Sequence, residues 1–253
     1  MRIVYAVPGM LDQKELLRRR GLLRQWAFPG TEVELCRVTE GPASIESAYE
    51  EYLSVPAAAR LMTELEGQGY DAAILGCACD PGLDAMRELT EEMLVVGPGS
   101  AAYQAAALLG NRFAVLTIDR SLVESCRRLG WQAGCGEKLG AVVPIDIPVL
   151  ELARDRGATV ERLAALGRRL VEEQKADVLV LGCMSLGFLD VAEELTAEVG
   201  IPCINPAKTG LKLAEALVSA GLRHSKAAYP MPPKLRGGTR LDALYVRPET
   251  GTL

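Results

Sequence analysis

Two cysteines of this chain occupy matching places in a repeated string. Asp71-Ala72-Ala73-Ile74-Leu75-Gly76-Cys77 aligns without a gap on Asp177-Val178-Leu179-Val180-Leu181-Gly182-Cys183, an offset of 106 residues. The match continues past the cysteines, with Leu83-Asp84 over Leu189-Asp190 and Glu88-Leu89-Thr90 over Glu194-Leu195-Thr196. Similarity at one fixed offset marks a duplicated structural unit. An ordinary cysteine is a small buried hydrophobe, and Cys36, Cys126, Cys135 and Cys203 are read that way. Cys77 and Cys183 differ, because each stands where an apolar strand gives way to a helix, a switch where reacting groups tend to lie.

Three chemistries suit such a pair. Cys77-Ala78-Cys79 with Cys183 would supply three metal ligands, but the chain has no C-x-x-C of the kind a closed zinc site uses. A redox disulfide would need the two Cα atoms within about 7 Å. The third chemistry is proton transfer at a carbon acid. A thiol has a reference pKa near 8.5, and a helix N-terminus favours its thiolate. One thiolate and one thiol on opposite faces of a flat intermediate would invert a carbon centre without a cofactor. Backbone N–H groups at the two Gly-Cys turns would stabilise the enolate oxygen.

The elements that must position this pair follow from the hydrophobic pattern. Short apolar runs at 3–7, 33–38, 72–75, 94–96, 113–117, 142–147, 178–181 and 201–204 read as strands buried on both faces. Amphipathic stretches at 45–66 and 160–175, and others at 99–109 and 207–220, read as helices. Strand and helix alternate, so the fold class is α/β with parallel sheets. The repeat predicts two pseudo-symmetric open parallel-sheet domains, with the active site in the cleft between them. The first half is assigned to residues 1–97, joined by the C-terminal segment 208–253, and the second half to 98–207. Ligands of open parallel sheets bind beyond the carboxyl ends of the strands, where Cys77 and Cys183 both stand.

Composition narrows the field. The chain has 253 residues, 24% of them charged, and a net charge of −5; a nucleic-acid partner would call for a basic face. No apolar run approaches the ~18 residues of a membrane span. The pattern enters a strand within the first residues, so no signal peptide is expected, and the seven cysteines are an odd number. Reduced thiols in the cytoplasm are the expectation. The single histidine, His224, removes mechanisms built on a Ser-His-Asp or Cys-His pair.

The motifs resemble one family over 41–237. Gly41-Pro42-Ala43-Ser44-Ile45-Glu46-Ser47-Ala48-Tyr49, Gly76-Cys77-Ala78-Cys79-Asp80-Pro81-Gly82-Leu83, Phe113-Ala114-Val115-Leu116-Thr117, Leu181-Gly182-Cys183 and Gly221-Leu222-Arg223-His224-Ser225-Lys226 are similar to the hydantoin and allantoin racemases of the aspartate/glutamate racemase superfamily. The resemblance implies a cofactor-independent isomerase with Cys77 and Cys183 as paired acid and base, acting at C5 of a hydantoin-type ring. It implies a small-molecule substrate; no metal is expected, given the missing C-x-x-C, and a homo-oligomer is expected. Where relatives carry Asn-Pro-Asn-Thr after the first strand, this chain has Val7-Pro8-Gly9-Met10. Where they carry two threonines it has Thr117-Ile118, and where Ala-Gly-Met follows the second cysteine it has Met184-Ser185-Leu186. The substrate shell is therefore expected to be more apolar than that of the relatives.

Substrate contacts are expected from Thr117, Ser44, Cys79, Gly99, Ser100, Met184 and Ser185. Gly99 and Ser100 belong to a Gly-rich turn, whose free N–H groups would bind an oxygen, or whose Ser100 would cap the next helix. Asp80 is read as a cap or loop anchor and not as an activator of Cys77, since a carboxylate raises a thiol pKa. His224 is read as an exposed tail residue, and the proline-bearing tail from Tyr229 as a segment that packs on a neighbouring subunit or stays loose. The rival activities are racemisation of an amino acid, maleate isomerisation and decarboxylation of a substituted malonate. A binding protein without turnover is the rival of another class.

Overall fold

The computed structural model describes residues 1–238 and 240–244; the rest of the tail lies outside the described residues. The first half runs β1 (Arg2–Val7), α1 (Gln13–Trp26), β2 (Glu32–Arg37), α2 (Ala48–Gly67), β3 (Ala72–Leu75), α3 (Leu83–Leu89), β4 (Leu94–Val96) and α4 (Pro98–Leu109). The second runs β5 (Phe113–Thr117), α5 (Val123–Gln132), β6 (Leu139–Pro144), α6 (Arg156–Gln174), β7 (Val178–Leu181), α7 (Met184–Phe188), α8 (Ala192–Val199), β8 (Cys203–Ile204) and α9 (Pro206–Ser219), followed by the single turn α10 (Pro233–Arg236).

These strands form two sheets, ordered β2-β1-β3-β4 and β6-β5-β7-β8, with every pair parallel. The two orders are the same pattern, so the sequence repeat is a repeat of architecture. Strands β3, β5 and β7 are buried along their whole length, as continuous apolar runs require when helices cover both faces. The sixth strand spans 139–144 in place of the expected 142–147. Beyond Pro144 the chain turns through Asp146, which holds a left-handed φ of 58°. The last strand is shortened to two residues behind Pro202, which has no N–H to donate.

Two helices change sides. Helix α4 leaves β4 and packs on the second sheet, where Ala102, Tyr103 and Ala106 join Phe113, Val115 and Val180. Helix α9 leaves β8 and packs back on the first sheet, where Ala207, Leu211 and Ala214 join Ile3, Ile74 and Val96. The two helices also meet each other closely. A Cβ on Gly210 would lie 3.0 Å from that of Pro98. Helix α7 of the second half likewise sends Met184 and Phe188 into the first half's core. The Phe188 ring meets Tyr5 edge-on at 5.6 Å and stacks on Trp26 at 5.9 Å.

The segment after α9 is tied down, which corrects the reading of His224 as an exposed tail residue. β4 is an edge strand, and His224 Nε2 accepts from its Val95 N–H at 2.8 Å. Lys226 Nζ donates to the carbonyls of Arg87, Glu88 and Thr90 at the end of α3, at 3.0, 3.2 and 2.9 Å. Tyr229 meets the His224 ring edge-on and lies under the Arg87 guanidinium. Burial, with the nearby Arg87 and Lys226 charges, lowers the His224 pKa to about 4. A depressed pKa stabilises the folded state fully above the unfolded value near 6.5, and that contribution is lost as pH falls through about 4. The 224–229 segment is thus expected to undock between pH 6.5 and 4, read as faster amide exchange at Val95 after correction for intrinsic rates. His224→Ala should show that fast exchange at both pH values.

Candidate active site

Each cysteine is placed by the glycine before it. The Gly76 N–H donates to Ala6 O of β1 at 2.8 Å, and the Gly182 N–H donates to Leu116 O of β5 at the same distance. A Cβ at either glycine would lie 3.0 Å from that same carbonyl, tighter than ordinary contact, so only glycine fits without a shift. The strands can then run on to the sheet's carboxyl edge and release Cys77 and Cys183 into one cavity of about 460 Å³ between the halves.

The turns after the cysteines differ. After Cys183 the chain enters α7 at once, with Cys183 as its N-cap residue. The Gly187 N–H donates to Cys183 O at 3.1 Å, and the Cys183 side chain makes no capping hydrogen bond to the turn. Burial pushes the Cys183 pKa up to about 11, against the pull of the Leu186 and Ser185 backbone at the start of α7 and of Arg19, while Cys77 opposes ionisation further. Cys183 therefore rests as a thiol at neutral pH. After Cys77 there is a tight turn, with the Asp80 N–H donating to Cys77 O at 3.1 Å. Cys79 shares the cavity wall and lies against Cys126 and Cys77; those thiols, with burial, hold its pKa well above the ordinary thiol value.

Of the expected contacts, Ser44, Cys79, Met184 and Ser185 line this cavity together with Cys77 and Cys183. Thr117, Gly99 and Ser100 do not. Thr117 is fully buried behind the wall, where its hydroxyl accepts from the Cys126 thiol at 3.6 Å. The Gly99 and Ser100 N–H groups are already taken. Both donate to the Asp80 carboxylate, at 2.9 and 2.7 Å, and the Ser100 hydroxyl adds a third bond at 2.6 Å. Gly97, not Ser100, is the N-cap residue of α4, and Asp80 supplies the cap from the cysteine loop. A Cβ on Gly99 would collide with Ala78 O, so this glycine lets α4 seat against that loop. Burial raises the Asp80 pKa to about 6, although the Ser100 and Gly99 donors pull it down.

The sequence reading missed an ionic group on the cavity wall. Asp12 caps α1 by accepting from the Glu15 N–H at 2.7 Å. Glu15 receives Arg18 at 2.7 and 2.8 Å and Arg19 at 2.7 Å. Burial alone would raise the Glu15 carboxyl pKa, but the two guanidiniums outweigh it and hold the value low. Arg19 is only 6% exposed. The available signal was the spacing of Arg19, Leu23 and Trp26, which puts this arginine on the apolar face of α1. The rest of the wall is largely apolar, with Met10, Leu11, Ile45, Ile118, Leu122 and Leu150 among its residues. Among the described residues no group of three or more His, Cys, Asp or Glu side chains is arranged to hold a metal ion. No helix among them is long and apolar enough to cross a membrane.

Two parallel sheets of equal order with a cysteine at matching edges of one cavity define a class, that of the racemase-like α/β proteins. Residues 20–214 match the family described as Asp/Glu/Hydantoin racemase, and the chain belongs to that family. It is 36% identical to a hydantoin racemase of Pseudomonas sp. (strain NS671) over 195 residues, 77% of each chain. Its structure superposes on the allantoin racemase from Klebsiella pneumoniae with a TM-score of 0.86 at 29% identity, covering 92% of this chain and 94% of the other. The allantoin racemase from Pseudomonas fluorescens gives 0.84 at 27% identity, covering 92% and 97%.

The Asp80 clamp is open to a direct test. Asp80→Ala leaves the Gly99 and Ser100 donors without their acceptor and should lower stability by about 2 kcal/mol. Urea unfolding should show a lower midpoint with an unchanged slope.

Proposed function

We propose that this protein racemises 5-substituted hydantoins without a cofactor, through Cys77 and Cys183. The observation that carries the reading is that both Gly-Cys cysteines, equivalent by the repeat, open into one cavity. In the proposed reaction the substrate ring lies between them. One cysteine, as thiolate, removes the C5 proton. The C–H electron pair moves into the neighbouring ring carbonyl, and the other cysteine, as thiol, gives its proton to the opposite face of C5. The product is the enantiomer, and the two sulfurs have exchanged protonation states. A resting Cys183 thiol suits the enantiomer whose hydrogen faces Cys77. The opposite enantiomer needs the Cys183 thiolate. Burial resists that form, while the first turn of α7 and Arg19 favour it.

The wall supports an uncharged ring with an apolar substituent. Asp12 is occupied by its cap, and Glu15 by Arg18 and Arg19. Each charged group on the wall already has a partner within the chain, which disfavours the ammonium and carboxylate of an amino acid. Apolar side chains surround the remaining space, so alkyl or aryl substituents are favoured over the polar ureido group of allantoin. A hydantoin C5–H beside a ring carbonyl is acidic enough for a thiolate to remove. By packing and not by chain order, we take residues 1–97 with 208–253 as one half and 98–207 as the other, since α4 packs on the second sheet and α9 returns to the first; residues 239 and 245–253 of that segment lie outside the described residues.

Optical rotation decay on pure enantiomers of 5-alkyl and 5-aryl hydantoins, allantoin, aspartate and glutamate tests the assignment. The assay contains a reductant and no added cofactor. Decay should be fastest for an apolar hydantoin, starting from either enantiomer. Cys77→Ser and Cys183→Ser should each lower the rate by at least about a thousandfold. Each single variant should still exchange the C5 proton of one enantiomer with deuterium. Full racemisation by both variants would refute the paired-cysteine mechanism.

A further inference from the structure

Helix α1 belongs to the first half, yet two of its arginines reach α7 of the second. Arg18 Nη1 donates to Phe188 O at 2.7 Å, and Arg19 Nη2 donates to the Ser185 hydroxyl at 3.0 Å. The Arg19 guanidinium is locked in place. Its Nε is bonded to Glu15, and its Cζ lies 4.8 Å from the centre of the Phe188 ring. Ser185 lies two residues after Cys183, in the first turn of α7, whose N-cap position Cys183 holds. Arg19, Ser185 and Cys183 line the same cavity.

We propose that Arg19 is a positioning residue for Cys183: held by Glu15 and Phe188, it fixes Ser185 and with it the first turn of α7, and sets a permanent positive charge on the wall of the cavity into which that sulfur opens. This rests on the reading of Cys183 as one of the two acid/base groups. The other charges around the site do not substitute for it. Asp12 is spent on the α1 cap, and Glu15 is shared between two guanidiniums. Arg18 is 42% exposed in its side chain and is anchored at Phe188 O, at the far end of α7. Cys77 and Cys79, from the loop after β3, carry no positive charge in either form, and a Cys77 thiolate opposes a second one. Arg19 is thus the buried cation bonded to the first turn of α7, and it favours the form of Cys183 that one direction of racemisation requires.

The test is the pH dependence of iodoacetamide alkylation, followed separately at Cys183 and Cys77 by peptide mass spectrometry on the full-length protein. Arg19→Met should move the Cys183 midpoint upward, so that its alkylation rate at pH 8.5 falls about fivefold. The Cys77 profile should stay in place. Arg19→Lys keeps the charge and should recover part of the shift. Ser185→Ala, a small change at a wall residue, removes the hydrogen bond from the other side and should move the midpoint in the same direction. A merely loosened structure would raise alkylation at every pH without moving the midpoint. The proposal is overturned by an unmoved Cys183 midpoint in Arg19→Met with native circular dichroism. If that variant does not fold, unmoved midpoints in both Arg19→Lys and Ser185→Ala overturn it. Alkylation does not depend on turnover. A shifted midpoint in a protein that racemises no compound of the panel therefore upholds Arg19 and refutes the hydantoin assignment.

Discussion

The structure depends on two places where a strand end presses against its neighbour without a side chain between them. At Gly76 and at Gly182 the backbone lies so close to the adjacent strand's carbonyl that a methyl group would not fit without a shift. That approach lets β3 and β7 stay paired through Leu75 and Leu181, with the glycine N–H after each still bonded to the neighbouring strand. A parallel sheet carries its strand ends on one edge, so two such sheets facing each other bring two cysteines to one cavity. The chemistry proposed for the pair needs groups on opposite faces of a planar intermediate, and a pseudo-symmetric duplication is the simplest way to supply them.

The halves are joined by exchange of parts. Helices α4 and α9 each cross to the other sheet, and α7 sends Met184 and Phe188 into the other core. Side chains at the helix starts then tie the cysteine loops to this frame. Asp80, from the loop after Cys77, caps α4. Asn205 caps α9 and donates to Gly187 O in α7 at 2.8 Å, close behind Cys183. The two devices are related in role and different in chemistry. A buried carboxylate needs several donors, whereas an amide both donates and accepts. A cavity walled by two bodies would widen with any hinge motion; these clamps oppose such widening next to the sulfurs.

Much of this was legible in the sequence. The repeat announced two equivalent halves because both copies obey the same backbone constraint, Gly then Cys after an apolar strand. The turn at Gly99-Ser100 was misread because a free Gly-rich helix start and one already filled by Asp80 have the same residues; the partner comes from 20 positions away. Thr117 stands at the expected strand end but faces Cys126 instead of the cavity, because a residue's side of a sheet depends on which helices cover it. His224 looked like tail, and docks because an edge strand left one N–H to satisfy.

By itself the sequence determined the α/β class, the duplication and the two equivalent Gly-Cys positions, since each is written in local pattern: apolar runs, fixed spacing, and glycine where no side chain fits. Only the tertiary structure decided which polar groups share the cavity with the sulfurs. Arg19, Glu15 and Ser185 come from segments about 170 residues apart, and no periodicity links them. Electrostatic effects on a thiol depend on distances of a few ångströms through a low-dielectric interior. Such distances are set by how the two halves close on each other, and the order of residues along the chain does not record them.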